Sequence, residues 1–85
     1  ILDVRTPNEY KRGHLHHSVL IPVQALQNRY QELGTDKARE ILIYCATGNR
    51  STVASKILID NGFKHIVNMR GGIYDWHKNN YPVTR

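Results

Sequence analysis

The chain has 85 residues, 40% of them hydrophobic, and twelve Lys and Arg against seven Asp and Glu give it a formal net charge of +5. That length holds one domain and excludes a second, and a chain of this size buries roughly two-thirds of its unfolded surface, so apolar packing has to carry the fold. A single cysteine excludes an internal disulfide and a four-cysteine structural zinc site, and no apolar run approaches the roughly 20 residues that span a bilayer.

Residues 1–4, ILDV, form a short apolar run holding one acid and read as a buried strand. Thr6 can cap a helix whose first position is Pro7, Glu9 stands where a capping box needs it, and Gly13 ends the helix. SVLIP at 18–22 reads as a second strand, stopped by Pro22, which has no N–H for a ladder. Val23, Leu26, Tyr30 and Leu33 follow the helical period and Gly34 lies just past them, which predicts an amphipathic helix.

ILIY at 41–44 is a continuous β-branched and aromatic run, expected to be a strand buried on both faces. Residues 51–61 place Val53, Ala54, Ile57 and Leu58 on one side of a helix that Gly62 stops. HIVNM at 65–69 offers another strand, Arg70-Gly71-Gly72 a turn, and residues 73–79 a last helix with Ile73 and Trp76 on one face. Strands alternate with helices, so the expected fold is an α/β domain with a mostly parallel sheet.

Cys45 then falls at the carboxyl end of that buried strand, where open parallel sheets bind their ligands. Ala46 to Arg50 make the connection, and Gly48 permits a backbone conformation that turns several N–H groups inward. A helix starting near Arg50 or Ser51 aims its positive end at the same spot, and Arg50 adds a full charge. Lowering a thiol from about 8.5 to about 6.5 needs about 2.7 kcal/mol. A partly buried helix end contributes up to about 2 kcal/mol and each charge-assisted N–H bond about 1.5–3. Cys45 is therefore expected to be a nucleophile and not a small core residue. The positive net charge suits an anionic partner, while the scattered placement of the basic residues argues against nucleic acid.

Three stretches, in order, resemble one family. LDVRTPNEYKRGHL at 2–15, YCATGNRS at 44–51, and GFKHIVNMRGGIYDW at 62–76 followed by YPV are similar to the motifs of the rhodanese-like sulfurtransferases. The resemblance implies a single domain over 1–85, with a parallel sheet flanked by helices on both faces. It also implies that the strand and helix usually preceding the first motif are missing. Cys45 and Arg50 would be catalytic; Ala46, Thr47, Gly48, Asn49 and Ser51 would bind substrate; Asp3 and Arg5 would support the site, and Glu9 and His14 would be framework. In that chemistry the Cys45 thiolate takes the outer sulfur of a thiosulfate-like anion, sulfite leaves, and the resulting persulfide passes its sulfur to cyanide or a thiol. A sulfur-relay protein or a thioredoxin-like reductant is a further expected partner, with no cofactor, metal, nucleic acid or membrane involved.

Other readings lie beside this one. Rhodanese-like domains also serve as sulfur relays between proteins or as non-catalytic interaction modules, although the latter commonly lack the cysteine that stands here. Phosphatases and arsenate reductases of related fold have five residues between cysteine and arginine, whereas only Ala46 to Asn49 intervene here, a cradle too short for a tetrahedral oxyanion. The chain departs from the family after His14-Leu15, where His16 and His17 replace the usual Pro-Gly-Ala-like run; His14, His16 and His17 lack any further ligand pattern and are expected on the surface. Trp76 is expected in the core. The expected compartment is the cytoplasm, with a periplasmic mature form as the alternative.

Overall fold

In a computed structural model that describes residues 1–85, the first apolar run becomes β1 (Leu2–Asp3) and feeds α1 (Pro7–Arg12). The capping box is formed: Thr6 Oγ1 accepts from the Glu9 amide at 3.2 Å, and the Thr6 amide donates to Glu9 Oε1 at 3.1 Å. Two orphan helix-end donors are thereby satisfied, and the Gly13 amide closes the other end on Tyr10 O. There follow β2 (Val19–Leu20), α2 (Val23–Arg29) with a 3-10 turn over Tyr30–Leu33, β3 (Glu40–Tyr44), α3 (Asn49–Asp60), β4 (His65–Asn68) and α4 (Gly72–Lys78).

All four strands are parallel, in the order β2-β1-β3-β4. The chain leaves β1 toward β2 on one side and returns to lay β3 on the other. The gap between the carboxyl ends of β1 and β3 is thus the point where winding reverses, which is where open α/β sheets form their clefts. Register sets Asp3 beside Tyr44, and the Val4 amide donates to Tyr44 O at 3.1 Å, so the segment after β1 runs directly alongside Cys45.

The pleat sorts side chains by parity. Leu2, Val4, Ile41, Ile43 and Cys45 join the larger core with Leu26 from α2, Ala54 and Leu58 from α3, and Phe63. Tyr44 faces the other way and packs with Leu15 and Ile73, backed by Met69, Trp76 and Val83. Helices therefore cover both faces, α2 and α3 one and α4 the other.

Three expectations need correcting. Val53 is 55% exposed, because α3 starts at Asn49 and buries Ser51, Ala54 and Leu58; Ile57 is only half-buried. The helix expected from Val23 to Leu33 stops at Arg29, and its last turn tightens to 3-10 before Gly34. Leu42 is half-buried, so β3 is not fully enclosed on its second face.

One polar group ties β1 to β3 inside the protein. Asp3, fully buried, accepts from the Arg5 backbone amide and guanidinium and from the Tyr44 hydroxyl at 2.7 Å. Arg5 reaches on to Gly13 O at 2.8 Å, and the Tyr44 oxygen takes the Leu15 amide at 3.0 Å. Burial works against the Arg5 charge, and Asp3 more than offsets it, raising the Arg5 pKa; burial pushes the Tyr44 phenol up to about 12, so it stays a donor. No buried side-chain polar atom lacks a partner. Asp3→Ala would leave the guanidinium and phenol without their shared acceptor, and losing one partner of a buried pair costs about 3–5 kcal/mol. Urea unfolding should show a free energy of unfolding lowered by about 3–5 kcal/mol, with a correspondingly lower midpoint, and an unchanged midpoint would show that the network contributes nothing.

Candidate active site

The segment Cys45 to Ser51 folds back on itself, so the sulfur sits at the centre of its own loop. Gly48 makes this possible: its φ of +105° is left-handed, and a Cβ there would stand 2.0 Å from the carbonyl oxygen of Arg70. With the chain reversed at Gly48, its amide donates to Cys45 Sγ at 3.1 Å and the Ser51 amide donates to the same atom at 3.3 Å. Both belong to the start of α3, where helix amides have no intrahelical acceptor, so the sulfur fills the place of a cap. Ser51 Oγ stands 3.6 Å from Sγ, with one proton to share among the sulfur, Asn68 Oδ1 at 2.7 Å and Gly48 O at 3.1 Å.

Carbonyls in the loop would repel an anion unless they were turned away. Cys45 O accepts from the Ile73 amide at 2.9 Å and Ala46 O from the Tyr74 amide at 3.0 Å, both at the start of α4. Gly72 permits the approach, with a φ of +61° and no room for a Cβ, which would lie 2.4 Å from either carbonyl oxygen. The two helix starts therefore divide the loop: α3 supplies donors to the sulfur, and α4 consumes the neighbouring acceptors. Burial of Cys45, which is 1% exposed, pushes its thiol up; the Ser51 hydroxyl and the amides of Ser51, Gly48 and Thr47 outweigh that and bring it below its ordinary value.

Arg50 makes no hydrogen bond to the sulfur. Its guanidinium makes a bidentate pair with Glu9 of α1, at 2.6 and 2.8 Å, and so reaches the site already neutralised. The Arg50 hydrogen bonds, working against burial and joined by the Thr6 amide and hydroxyl, hold the Glu9 carboxyl at about 2, down from 4.5. Of the remaining loop residues, Thr47 and Asn49 are exposed on the rim and Ala46 is half-buried. Asp3 and Arg5 lie in the buried network beneath the loop and touch neither the sulfur nor its donors.

Glu9 carries more than its motif suggested, since one carboxylate both caps α1 and clamps Arg50. Asn68 was not anticipated: it ends β4, accepts from Ser51 and donates to Thr52 Oγ1 at 3.1 Å. Only its position at the carboxyl end of a strand next to β3 signalled it. Nor did the sequence show that the Arg70 carbonyl would press on Gly48, although the paired glycines after it marked a tight approach. His14 stacks on Tyr10 at 3.6 Å and bonds Tyr10 O, while His16 meets Thr84 Oγ1; no group of three metal-type ligands exists. Trp76 packs on the second core and donates to Pro82 O at 2.6 Å.

A model of the rhodanese-like domain family matches residues 1–79. A protein named sulfurtransferase from Allochromatium vinosum is 32% identical over 84 residues, which is 99% of this chain and 77% of that protein. Thiosulfate sulfurtransferase PspE of Escherichia coli is 32% identical over 74 residues, 87% of this chain and 70% of PspE. Other relatives run longer, the chain spanning 59% and 40% of two Bacillus subtilis proteins. The crystal structure of a rhodanese-related protein from Thermoplasma volcanium superposes with a TM-score of 0.87 at 35% identity, covering 98% of this chain and 80% of that one. The chain belongs to the rhodanese-like domain family, and its parallel sheet with helices on both faces is that family's fold.

Two outcomes follow from this geometry. Gly48→Ala meets both a left-handed φ and the Arg70 carbonyl, so thermal unfolding should show a loss of at least about 2 kcal/mol together with slower alkylation of Cys45. Wild-type stability and reactivity in that variant would mean that the loop does not need this turn. For the ion pair, Glu9 has a folded pKa depressed from 4.5 to about 2, so its contribution is complete above pH 4.5 and is lost as the pH falls toward 2. The stability difference between wild type and Glu9→Gln should shrink across that window; a difference that persists unchanged at pH 2 would contradict the pairing.

Proposed function

We propose that this chain is a sulfurtransferase that carries sulfane sulfur as a persulfide on Cys45, taking it from a thiosulfate-type anion and handing it to cyanide or a thiol. The observation carrying this reading is the pair of amides, from Gly48 and Ser51, directed at a sulfur whose neighbouring carbonyls point elsewhere. Family membership and the names of two relatives support the same chemistry.

In the loading step the Cys45 thiolate forms a bond to the outer sulfur of thiosulfate. The S–S bond of the donor breaks, its electron pair leaves with sulfite, and the transferred sulfur carries the negative charge. In the unloading step cyanide bonds to that outer sulfur, the bond to Sγ breaks, and the electron pair returns to Cys45 as thiocyanate departs. Splitting one transfer into two displacements is the advantage of a covalent intermediate. The amides need no reorganisation between steps, since Sγ begins and ends as the atom they hold. Cys45 is 1% exposed, so reactants meet it across the rim formed by Ala46, Thr47 and Asn49.

The short loop favours sulfur over phosphate chemistry. With four residues between Cys45 and Arg50, two loop amides already converge on a single atom, an arrangement suited to one sulfur and not to three equatorial oxygens. Intact mass spectrometry after incubation with thiosulfate tests the proposal. The wild-type chain should gain one sulfur atom and release it on adding cyanide, and Cys45→Ser should gain none. No gain in the wild type would end the thiosulfate reading, and an equal gain in the variant would move the sulfur off Cys45.

A further inference from the structure

We propose that Asn68 is a positioning residue for Cys45 that works through the Ser51 hydroxyl: it holds the Ser51 proton while the sulfur is neutral and yields it when the sulfur becomes an anion. This deepens the sulfurtransferase reading and rests on it, since it says how Cys45 is made a leaving group as the transferred sulfur departs. Asn68 stands half-buried on the edge strand β4, and Ser51 is fully buried beside the sulfur. A short chain of hydrogen bonds links them, and its protons are placed from the far end.

Matching donors to acceptors orients each group in turn. Thr52 Oγ1 donates its single proton to Gly48 O at 2.8 Å, so toward Asn68 it can only accept. Asn68 therefore gives its amide nitrogen to Thr52, at 3.1 Å, and its oxygen to Ser51. Gly48 O already accepts the Thr52 amide and the Thr52 hydroxyl, which fills both of its lone pairs and makes it the poorer acceptor for Ser51. The Ser51 proton thus points to Asn68 Oδ1 at 2.7 Å, and Ser51 turns an oxygen lone pair to the sulfur, 3.6 Å away. That arrangement suits a neutral sulfur, either a thiol donating its S–H or a persulfide. It opposes a thiolate.

When cyanide bonds to the outer sulfur and the bond from that sulfur to Sγ breaks, the electron pair returns to Sγ. A turn about the Ser51 C–O bond then moves the hydroxyl proton from Asn68 to Sγ, with no bond to hydrogen made or broken. The thiolate wins the proton because a hydrogen bond to an ionised acceptor is roughly twice as strong as one to a neutral amide. Water takes the vacated Asn68 oxygen, which the open edge of β4 allows. The Gly48 and Ser51 amides stay on Sγ throughout, so the hydroxyl is the group that changes partner. Of the charged groups on the elements around the loop, Glu9 of α1 pairs with Arg50 of α3, and Asp3 with Arg5 after β1. Arg70 before α4, and Asp75, His77 and Lys78 on it, are exposed, while Glu40 and His65 pair at the opposite ends of β3 and β4.

Ultraviolet thiolate titration of the unloaded chain tests this in wild type, Asn68→Ala, Ser51→Ala and the double variant. At a pH below the midpoint, the thiolate fraction should rise about three- to tenfold in Asn68→Ala, whose loss frees the Ser51 proton, and fall by a similar factor in Ser51→Ala. The double variant should match Ser51→Ala, because Asn68 acts on the sulfur only through that hydroxyl. A fall or no change in Asn68→Ala, or an equal rise with and without the Ser51 hydroxyl, would overturn the proposal. A second measurement needs no substitution at Asn68: the NMR shift of its side-chain carbonyl carbon should follow the Cys45 midpoint in wild type and stay constant in Ser51→Ala. A carbon that does not respond in wild type, or responds equally in Ser51→Ala, would also overturn it. Cyanide should remove sulfur from preloaded Asn68→Ala about two- to threefold faster than from wild type, and an unchanged rate would overturn the part of Asn68 in sulfur release. The titrations use no sulfur donor, so a chain that fails to load from thiosulfate loses the sulfurtransferase reading while the exchange at Ser51 is still decided.

Discussion

Two backbone amides on one sulfur atom are the contact to which the rest of this fold is fitted. The Gly48 and Ser51 N–H groups can reach Cys45 Sγ only because the chain turns left-handed at Gly48, and that turn is closed from outside by the Arg70 carbonyl. The loop carbonyls that would otherwise crowd the sulfur are drawn off by the first amides of α4, and Gly72 leaves the space for them. A helix start on one side and a second helix start on the other thus sort donors from acceptors. The cost of burying the sulfur is offset by dipoles already in place, which is the condition for stabilising an anion without reorganisation.

Full charges have a different part. Arg50 and Glu9 neutralise each other across the gap between α3 and α1, and Arg5 and Asp3 do so beneath the loop. Neither pair offers a bare cation to the sulfur. The first joins the helix carrying the loop to α1, and the second, through the Tyr44 hydroxyl, fixes the end of β1 to the residue preceding Cys45. Charge here positions backbone, and backbone holds the sulfur. Fixed amides at about 3 Å are far less sensitive to salt than an exposed guanidinium, so such a site keeps its preference for an anion over a wide range of ionic strength.

Much of this was legible before any coordinates. The capping box at Thr6 and Glu9, the stops at Gly13 and Gly34, and the strand at 41–44 are local signals, and each appears where the residues predict it. The amide-lined turn at Cys45 was legible for the same reason, since a strand end, a glycine and a helix start lie within a few residues of one another. What stayed hidden depends on contacts between distant segments. Nothing within α3 says that polar Ser51 will be as fully buried as Ala54 and Leu58, because that follows from the sulfur its amide meets. The exposure of Val53 is the other side of the same fact. The partner of Arg50 lies 41 residues away on α1, and no spacing rule in one sequence finds such a pair. Asn68 and the Arg70 carbonyl reach the loop only through the order of the strands, which places β4 next to β3.

The central claim is that folding makes the Cys45 thiol more acidic than an ordinary cysteine in spite of its burial. An ultraviolet thiolate titration of the native chain, set beside the same titration in urea, measures this directly. The amide cradle predicts a native midpoint below the unfolded one. A native midpoint equal to or above it would mean that burial prevails over the amides, and the loop described here would not be holding an anion.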